Sequence, residues 1–302
     1  MIYRWHWFIE WQTPSEFHAH EIERVYQEQK SKYQEVKLVE LTRFGKSLII
    51  DGKIQSTVSD EFIYHESLVH PLMLSLRDPE RALIIGGGEG ATLREVLRYN
   101  SFKEVVMVDI DDVVIEFAKK YMAQWHKGAF EDKRTKLVIE DGIEYLRKNK
   151  DEFDVIILDL TDPMKDSPSY KLYTSTFYEL VKDSLSHNGG ISTQATSPSF
   201  SIDSFSVISN TIRHVFGKSE VGVSFVPAFD GLWGFAFYSP NSISPMSQER
   251  VDRLLEEKGI NGLQYYDGTT HYSMFSIPKY IRKYLENENR ISTDDNPIYV
   301  PA

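Results

Sequence analysis

The chain has 302 residues, and a length prior of about 150 residues per domain allows one or two domains. It contains no cysteine, which excludes disulfides, thiolate metal sites and cysteine nucleophiles. Its formal net charge of −11 at pH 7 provides no basic surface for nucleic acid or anionic lipid, and it suits a cationic substrate.

The N-terminal run, residues 1–11, is rich in aromatic side chains but contains Arg4, His6 and Glu10. It therefore lacks the basic and then apolar layout of a signal peptide. No run in the sequence approaches the roughly 18 to 20 apolar residues that a membrane span needs. We expect a soluble, cytoplasmic protein with no membrane or nucleic-acid partner.

Residues 1–60 are predicted to form a small antiparallel β-domain. Polar and apolar side chains largely alternate over residues 35–41, which is typical of a half-buried strand. A second β-like run, residues 46–50, ends at the turn dipeptide Asp51-Gly52. Together these segments predict a small group of antiparallel strands.

Residues 61–302 are predicted to form a larger catalytic domain, entered through a helix that extends from Ser59, a candidate N-cap, to Asp78-Pro79. Beyond it, runs rich in valine and isoleucine alternate with segments of helical spacing, which is typical of a parallel sheet covered on both faces. The predicted strands are residues 82–85, 105–108, 137–139, 155–158, 221–226 and 233–238. The predicted helices are residues 91–97, 113–121, 143–148, 176–185, 204–215 and 247–258. The fold class predicted is α/β, with a doubly wound Rossmann-like sheet.

A glycine-rich turn follows the first predicted strand of the larger domain, in the sequence ALIIGGGEGA at residues 82–91. Glycines such as Gly86 and Gly88 let the backbone approach a ligand closely and adopt positive φ. Ligands of open α/β sheets lie at the carboxyl ends of the strands. The pattern indicates a nucleotide or nucleoside site, and a tight turn without a ligand is the alternative.

Carboxylates follow the next two strands. Asp109 ends the second strand, where an acid can bind both ribose hydroxyls of an adenosine in dinucleotide enzymes and in S-adenosyl enzymes. Asp111 is a candidate N-cap of the helix that follows. Asp141-Gly142, after the third strand, is expected near the adenine amino group, and a simple turn is its alternative.

The fourth strand leads into Asp159 and Asp162, and together with Glu89 these residues would give the pocket three negative charges. Carboxylates so close raise one another's pKa unless a cation or a metal compensates them. Because a metal usually recruits histidines or several carboxylates in fixed geometry, an organic polycation is the simpler interpretation. Asp162 has an alternative role in capping the turn before Pro163.

Glu89 would repel the carboxylate of S-adenosylmethionine and attract a bare ammonium. The charges therefore indicate a decarboxylated sulfonium nucleoside as donor and a free amine as acceptor. Neither a metal nor a prosthetic group is expected.

These segments resemble the polyamine aminopropyltransferase, or spermidine synthase, family. The similarity runs in order from about residue 30 to residue 285, so it covers most of the chain. The matching motifs are Tyr33-Gln34, residues 48–52, residues 60–66, residues 82–95, residues 159–163 and Phe177-Tyr178. The resemblance implies a methyltransferase-type α/β domain after an N-terminal β-domain, assembled as a homodimer or homotetramer.

The resemblance also implies the reaction. The aminopropyl group of decarboxylated S-adenosylmethionine, a co-substrate, would be transferred to an amine such as putrescine, and 5′-methylthioadenosine would be released. The residues implied to bind the nucleoside are Gln34, Gly86, Gly88, Asp109, Asp141 and Gly142. The residues implied to bind the aminopropyl ammonium and the acceptor amine are Tyr64, His65, Glu89, Asp159 and Asp162. Asp159 would be the base, with Tyr64 as its hydrogen-bond partner.

Two segments depart from the family pattern. Phe229 stands in Pro-Ala-Phe-Asp where the family often has Pro-Thr-Tyr-Pro, so a hydroxyl that reaches the acceptor is missing. The loop after Pro163 lacks the usual Gly-Pro. The acceptor therefore stays open among putrescine, agmatine, diaminopropane, cadaverine and longer polyamines. Candidate groove residues, for which core or interface packing is favoured, are Trp5, Trp7, Trp11 and Trp233.

Three other functions stay open at this point. An S-adenosylmethionine methyltransferase shares the fold and Asp109, although the acidic cluster disfavours it. An NAD-dependent dehydrogenase fits a loose G-x-G-x-x-A pattern at Gly86, Gly88 and Ala91. A non-catalytic polyamine-binding protein would use the same acidic pocket without turnover.

Overall fold

The computed structural model describes residues 6–150, 152–165, 167–244 and 246–301, so the candidate groove residue Trp5 lies outside the described residues. The strands are β1 (Trp7–Thr13), β2 (Glu16–Lys30), β3 (Glu35–Leu41), β4 (Gly45–Ile50), β5 (Lys53–Thr57), β6 (Arg81–Gly86), β7 (Glu104–Asp109), β8 (Thr135–Ile139), β9 (Phe153–Asp159), β10 (Leu185–Gln194), β11 (Glu220–Val226) and β12 (Gly231–Tyr238).

Helices cover much of the remaining chain. The α-helices are α1 (Glu61–Ser75), α2 (Ala91–Leu97), α3 (Asp112–Tyr121), α4 (Ala123–His126), α5 (Gly142–Lys148), α6 (Ser175–Ser184), α7 (Ile202–Phe216), α8 (Gln248–Glu257), α9 (Gly268–Phe275) and α10 (Lys279–Asn287). Short 3-10 turns lie at Ala129–Glu131, Tyr170–Tyr173 and Pro227–Phe229. Among the described helices, none has the length and apolar character needed to cross a membrane.

The first sheet is antiparallel throughout, with the strand order β1-β2-β3-β4-β5. It confirms the predicted small β-domain and the strands β3 and β4. The strands β1, β2 and β5 are additions. The register of β2 against β3 shifts twice, between Ile22 and Arg24 and between Val25 and Gln27, so this strand lacks the two-residue alternation that sequence analysis detects.

The second sheet has the order β11-β12-β10-β9-β6-β7-β8, and its five strands from β10 to β8 run parallel. Successive residues of β6 face opposite sides. Ala82 and Ile84 pack in one apolar cluster, whereas Leu83 and Ile85 pack in another. The predicted doubly wound α/β sheet is therefore confirmed. The chain order reverses at β6, between β7 and β9, and ligands of such folds bind at this reversal.

Strand β10 was missed because its sequence is polar. Its second half, from Gly190 to Gln194, is nonetheless buried between β9 and β12. The hydroxyl of Ser192 donates a hydrogen bond to the backbone oxygen of Leu68 in α1. Buried polar side chains are tolerated when they find such partners, and composition does not reveal those partners.

Helix boundaries differ from the prediction at a few places. Helix α1 begins at Glu61 with Asp60, rather than Ser59, in the N-cap position. Asp111 is the N-cap of α3, and its side chain accepts a hydrogen bond from Val113 N, as expected. Two further helices, α9 and α10, lie in the C-terminal part of the chain, beyond the last predicted helix.

Helix α1 connects the two sheets. Strand β5 ends at Thr57, and α1 begins four residues later, close to the predicted domain division between residues 60 and 61. One apolar cluster nevertheless contains Val39 of the first sheet, Leu68 of α1 and Ile84 of the second sheet. Because the core is shared, the division into two domains stays a proposal.

A chain of buried ion pairs fastens α1 to α2. Arg94 forms two hydrogen bonds with Glu61, each 2.9 Å long, and a third of 2.7 Å with Glu95. Glu95 also lies 3.1 Å from His70 of α1. These groups are almost fully buried, so each charge depends on its partners for compensation.

We predict that Arg94→Met lowers the free energy of unfolding by about 3 to 5 kcal/mol, because Glu61 and Glu95 lose their shared cation in the interior. Urea denaturation followed by circular dichroism measures the change. The matched control is Arg77→Met, whose side chain is 99% exposed. An effect of Arg94→Met as small as that of the control would contradict the prediction.

Candidate active site

A cavity of about 210 Å³ lies at the carboxyl ends of β6, β7 and β9. Gly86, Asp109 and Asp159 line it from the second sheet, at the point where the strand order reverses. Glu10 of β1 and Lys53 of β5 line it from the first sheet. Both sheets therefore contribute to one site.

Asp159 ends β9, and both oxygens of its carboxylate accept hydrogen bonds. Tyr64 Oη of α1 donates to Oδ1 at 2.7 Å, and Thr92 Oγ1 of α2 donates to Oδ2 at 2.6 Å. At Gly86, φ is +83°, and an added Cβ would lie 2.1 Å from the backbone oxygen of Asp159. Only glycine permits this close approach, so the turn fixes the carboxylate beside the loop.

The pKa of Asp159 is raised to about 6, mainly by burial and then by the charge of Glu89. Asp159 is therefore ionised at neutral pH, yet it is basic enough to accept a proton. Burial and the nearby Asp159 raise the pKa of Tyr64 well above its ordinary value, so its hydroxyl stays a donor. The pair has the properties of a base and its orienting hydrogen-bond donor.

Glu89 is paired with a buried histidine. His65 Nε2 lies 2.9 Å from Glu89 Oε1, and His65 Nδ1 lies 2.8 Å from Glu61 Oε2. Burial alone would lower the pKa of His65, but the two glutamates outweigh it and raise this pKa to about 10. His65 is thus a cation that holds Glu89 in place, and it does not itself line the cavity.

A metal is the alternative partner for these side chains. One ligand atom each from His65, Glu89 and Asp159 lies within 4.8 Å of the others. Both ring nitrogens of His65 already face glutamate oxygens, and its raised pKa keeps both protonated. A doubly protonated imidazole has no lone pair for a metal, so the group suits an organic cation better.

Asp109 ends β7, which pairs with β6 on the side opposite β9. Its Oδ1 accepts a 2.8 Å hydrogen bond from Asp111 N, and burial raises its pKa to about 7. A Cβ on Gly88 would lie 2.8 Å from Asp109 Oδ2, so the glycine turn and this carboxylate are in close contact. The geometry places an acceptor of hydrogen bonds where a ribose is expected.

Gln34, Asp141 and Gly142 line the same part of the cavity. Asp141 also caps α5, with its Oδ1 accepting a 2.8 Å hydrogen bond from Ile143 N. The turn before Gln34 is held against the start of α3, because Ser31 Oγ donates a 2.7 Å hydrogen bond to Oδ2 of the N-cap residue Asp111. The structure therefore brings together all the residues predicted to bind the nucleoside.

Asp162 lies in the segment that follows β9, three residues after Asp159 in the sequence. Its Oδ1 accepts a 3.1 Å hydrogen bond from Gln194 Nε2 at the end of β10. Burial raises its pKa to about 6. Phe229 and Trp233, whose ring centroids are 4.6 Å apart, line the same cavity, whereas Trp7 and Trp11 do not and are half exposed.

Sequence reasoning did not single out several charged and polar residues that line the cavity or hydrogen-bond to residues of the site. They are Glu10, Lys53, Glu61, Thr92 and Gln194. Thr92 had a detectable signal, because it follows the glycine turn in the first turn of a helix. Gln194 had none, since its strand was not recognised, and Glu10 and Lys53 reach the site only through the packing of the two sheets.

Two family models match the chain. The spermine/spermidine synthase domain matches residues 61–248, and the spermidine synthase tetramerisation domain matches residues 6–57. The two matches meet close to the start of α1 and together include every predicted site residue.

Similar proteins and structures extend over almost the full length. Polyamine aminopropyltransferases of Sulfurisphaera tokodaii and Sulfolobus acidocaldarius are 59% and 54% identical to the chain, with 100% of each chain covered. A crystal structure of spermidine synthase in complex with the transition-state analogue AdoDATO superimposes with a TM-score of 0.87 at 34% identity, covering 95% of this chain and 97% of that one. Spermidine synthase from Thermotoga maritima has a TM-score of 0.83 at 32% identity, covering 93% and 95%. This chain is therefore a transferase that belongs to the spermine/spermidine synthase family.

Proposed function

We propose that the protein transfers the aminopropyl group of decarboxylated S-adenosylmethionine to an amine, with putrescine as the first acceptor to test. The observation that carries this proposal is the Asp159 carboxylate, held by Tyr64 and Thr92 in an acidic cavity beside the glycine turn. The names of the similar proteins support the same reaction class.

The proposed mechanism starts with a proton transfer. The acceptor amine is protonated at neutral pH, because amines of this kind have a pKa near that of lysine, about 10.4. Asp159 accepts one proton from the amine. The freed nitrogen lone pair then attacks the carbon of the aminopropyl group that is bound to the sulfonium sulfur. The carbon–sulfur bond breaks, its electron pair stays on sulfur, and neutral 5′-methylthioadenosine leaves. Tyr64 keeps the carboxylate oriented by donating to Oδ1.

The donor is selected by charge and by the ribose contact. Asp109 accepts hydrogen bonds from the ribose hydroxyls, with Gln34, Asp141 and Gly142 around the base. Glu89 attracts the aminopropyl ammonium and repels the carboxylate that S-adenosylmethionine carries in addition. This charge preference favours aminopropyl transfer over methyl transfer, and no nicotinamide or metal is required by the mechanism.

We also propose that the chain works as a homo-oligomer, a dimer or a tetramer. The first sheet coincides with the match to the tetramerisation domain. It carries several large apolar side chains that are about half exposed in a single chain, namely Trp7, Ile9, Trp11, Phe17 and Val25. Such a patch is typical of a protein interface. A cytoplasmic location stays a prediction.

The decisive experiment incubates the purified protein with decarboxylated S-adenosylmethionine and a panel of diamines and polyamines. Mass spectrometry follows 5′-methylthioadenosine and the aminopropylated product. Product with at least one amine supports the proposal and ranks the acceptors. Donor binding without product from any amine would favour the non-catalytic polyamine-binding alternative.

We predict that Asp159→Asn lowers kcat by about 100-fold to 10,000-fold, the usual contribution of a general base. The amide retains the shape of the side chain, so circular dichroism and the melting temperature should change little. Asp183→Asn, an exposed aspartate of α6, serves as the matched control. Turnover near that of the wild type would refute the assignment of the base.

We predict that kcat/KM falls as the pH drops from 8 to 6. Burial raises the pKa of Asp109 to about 7 and the pKa values of Asp159 and Asp162 to about 6, so these carboxylates gain protons over this range in the free enzyme. Protonation removes the base and the negative charges that attract cations. A pH profile of kcat/KM in buffers of constant ionic strength measures it. A profile that stays flat down to pH 5 would contradict these roles.

We predict that the wild type binds decarboxylated S-adenosylmethionine more tightly than S-adenosylmethionine, and that Glu89→Gln narrows this ratio by about tenfold or more. Loss of the negative charge removes both the attraction to the ammonium and the repulsion of the extra carboxylate. Calorimetric titration of both ligands gives the two dissociation constants. An unchanged ratio would show that Glu89 does not select the donor.

A further inference from the structure

Two residues of the active-site cavity come from the C-terminal part of the chain, and the proposed mechanism does not use them. They are Val300, which is 8% exposed, and Pro301. Both lie beyond residues 61–248, which the synthase-domain model matches, and belong to a segment here called the strap, residues 292–301. The strap therefore adds to the cavity a piece of wall that comes from neither sheet.

The strap is bound to two helices of the larger domain. The backbone oxygen of Ser292 accepts a 2.8 Å hydrogen bond from Ser175 N of α6, and Ser292 N donates a 3.0 Å bond to Thr211 Oγ1 of α7. Farther along, the backbone oxygen of Tyr299 accepts a 3.0 Å bond from Ser204 Oγ, also of α7. Because Ser292 is buried and bound on both sides of its peptide plane, the strap has a fixed start as well as a fixed end.

The far end of the strap contacts the segment between β9 and α6 at two points. Val300 N donates a 3.0 Å hydrogen bond to the backbone oxygen of Pro163. The rings of Tyr299 and Tyr170 pack with their centroids 5.7 Å apart. A proline has no backbone N–H, so the carbonyl is the one backbone group through which Pro163 can be hydrogen-bonded to another element. The strap satisfies that carbonyl directly after Asp162.

Asp162 needs such a tie because most of its own bonds stay within its segment. Its backbone oxygen accepts hydrogen bonds from Met164 N and Ser169 Oγ, each 2.8 Å long, and both donors move with the segment. Ties to other elements come from Gln194 of β10, which donates to Oδ1 at 3.1 Å, and from Val300 through the next residue. The place of this carboxylate in the cavity thus depends in part on the strap.

We propose that Val300 and Tyr299 are positioning residues for substrate binding, which hold the segment after β9 so that the Asp162 carboxylate faces the amine acceptor. This inference rests on the proposed aminopropyl transfer and adds the strap to its binding machinery. Because the two ties act on Asp162 and not on Asp109, their loss weakens the binding of the amine and leaves the binding of the nucleoside donor intact.

The test removes one hydrogen bond from the strap. Val300→Pro deletes the N–H that donates to Pro163 and keeps an apolar side chain. With the amine that ranks first in the acceptor panel, we expect its KM to rise by about threefold to tenfold, the range for a lost neutral hydrogen bond, with the KM of decarboxylated S-adenosylmethionine unchanged. Asp294→Pro is the matched control, since Asp294 is exposed and is the second residue of the turn Thr293–Asn296, where proline is favoured.

An unchanged KM for the amine would overturn the proposal. An equal rise of both KM values would also overturn it, because the strap would then have a general structural role. Absence of 5′-methylthioadenosine release by the wild type with any amine would instead refute the proposed function itself.

If Val300→Pro does not fold, Tyr299→Ala tests the second tie. Its side chain is 37% exposed, so the fold should tolerate the change, and the ring contact with Tyr170 is lost. We expect the KM of the amine to rise by about twofold to tenfold, the range for one aromatic pair, again without a change for the donor. Tyr272→Ala, at a tyrosine of α9 that is 60% exposed, is the matched control. Equal KM values for the two variants would overturn the proposal.

Discussion

The ion pair between His65 and Glu89 is the interaction on which the acidic site depends. A cavity lined by several carboxylates is electrostatically costly, and His65 offsets part of that cost because it stays protonated between Glu89 and Glu61. Glu61 is in turn compensated by Arg94 of α2. The same buried ion pairs that link α1 to α2 therefore also hold Glu89 at the wall of the cavity, where the proposed cationic substrate would bind.

The position of the site follows from the way two sheets share one helix. Helix α1 contributes Tyr64 to Asp159 and His65 to Glu89, and it also packs against the first sheet. The second sheet supplies the glycine turn and Asp109 at the point where its strand order reverses. The first sheet supplies Gln34, Glu10 and Lys53. The residues that line the cavity thus come from distant parts of the chain, brought together by the shared core.

Local sequence patterns predicted the larger fold and residues that line the cavity, for a physical reason. Parallel strands buried on both faces need continuous valine and isoleucine runs, and the turn at Gly86 needs positive φ, so both leave clear marks in the sequence. Because Asp109 and Asp159 directly follow such runs, their positions at the carboxyl ends of the strands were predictable from the sequence. Strands β2 and β10 were missed, because register shifts in one and hydrogen-bonded polar side chains in the other conceal the period that marks a strand.

The sequence by itself determined the α/β class and the family, because these depend on short segments whose spacing is fixed by strands and turns. Only the tertiary structure decided that His65 pairs with Glu89, that Thr92 and Gln194 hydrogen-bond to Asp159 and Asp162, and that Glu10 lines the same cavity. These contacts join residues from separate elements through packing. Desolvation by burial and charged partners from other elements then shift the pKa of each of these side chains. Neither the burial nor the partner can be inferred from the residues adjacent in sequence.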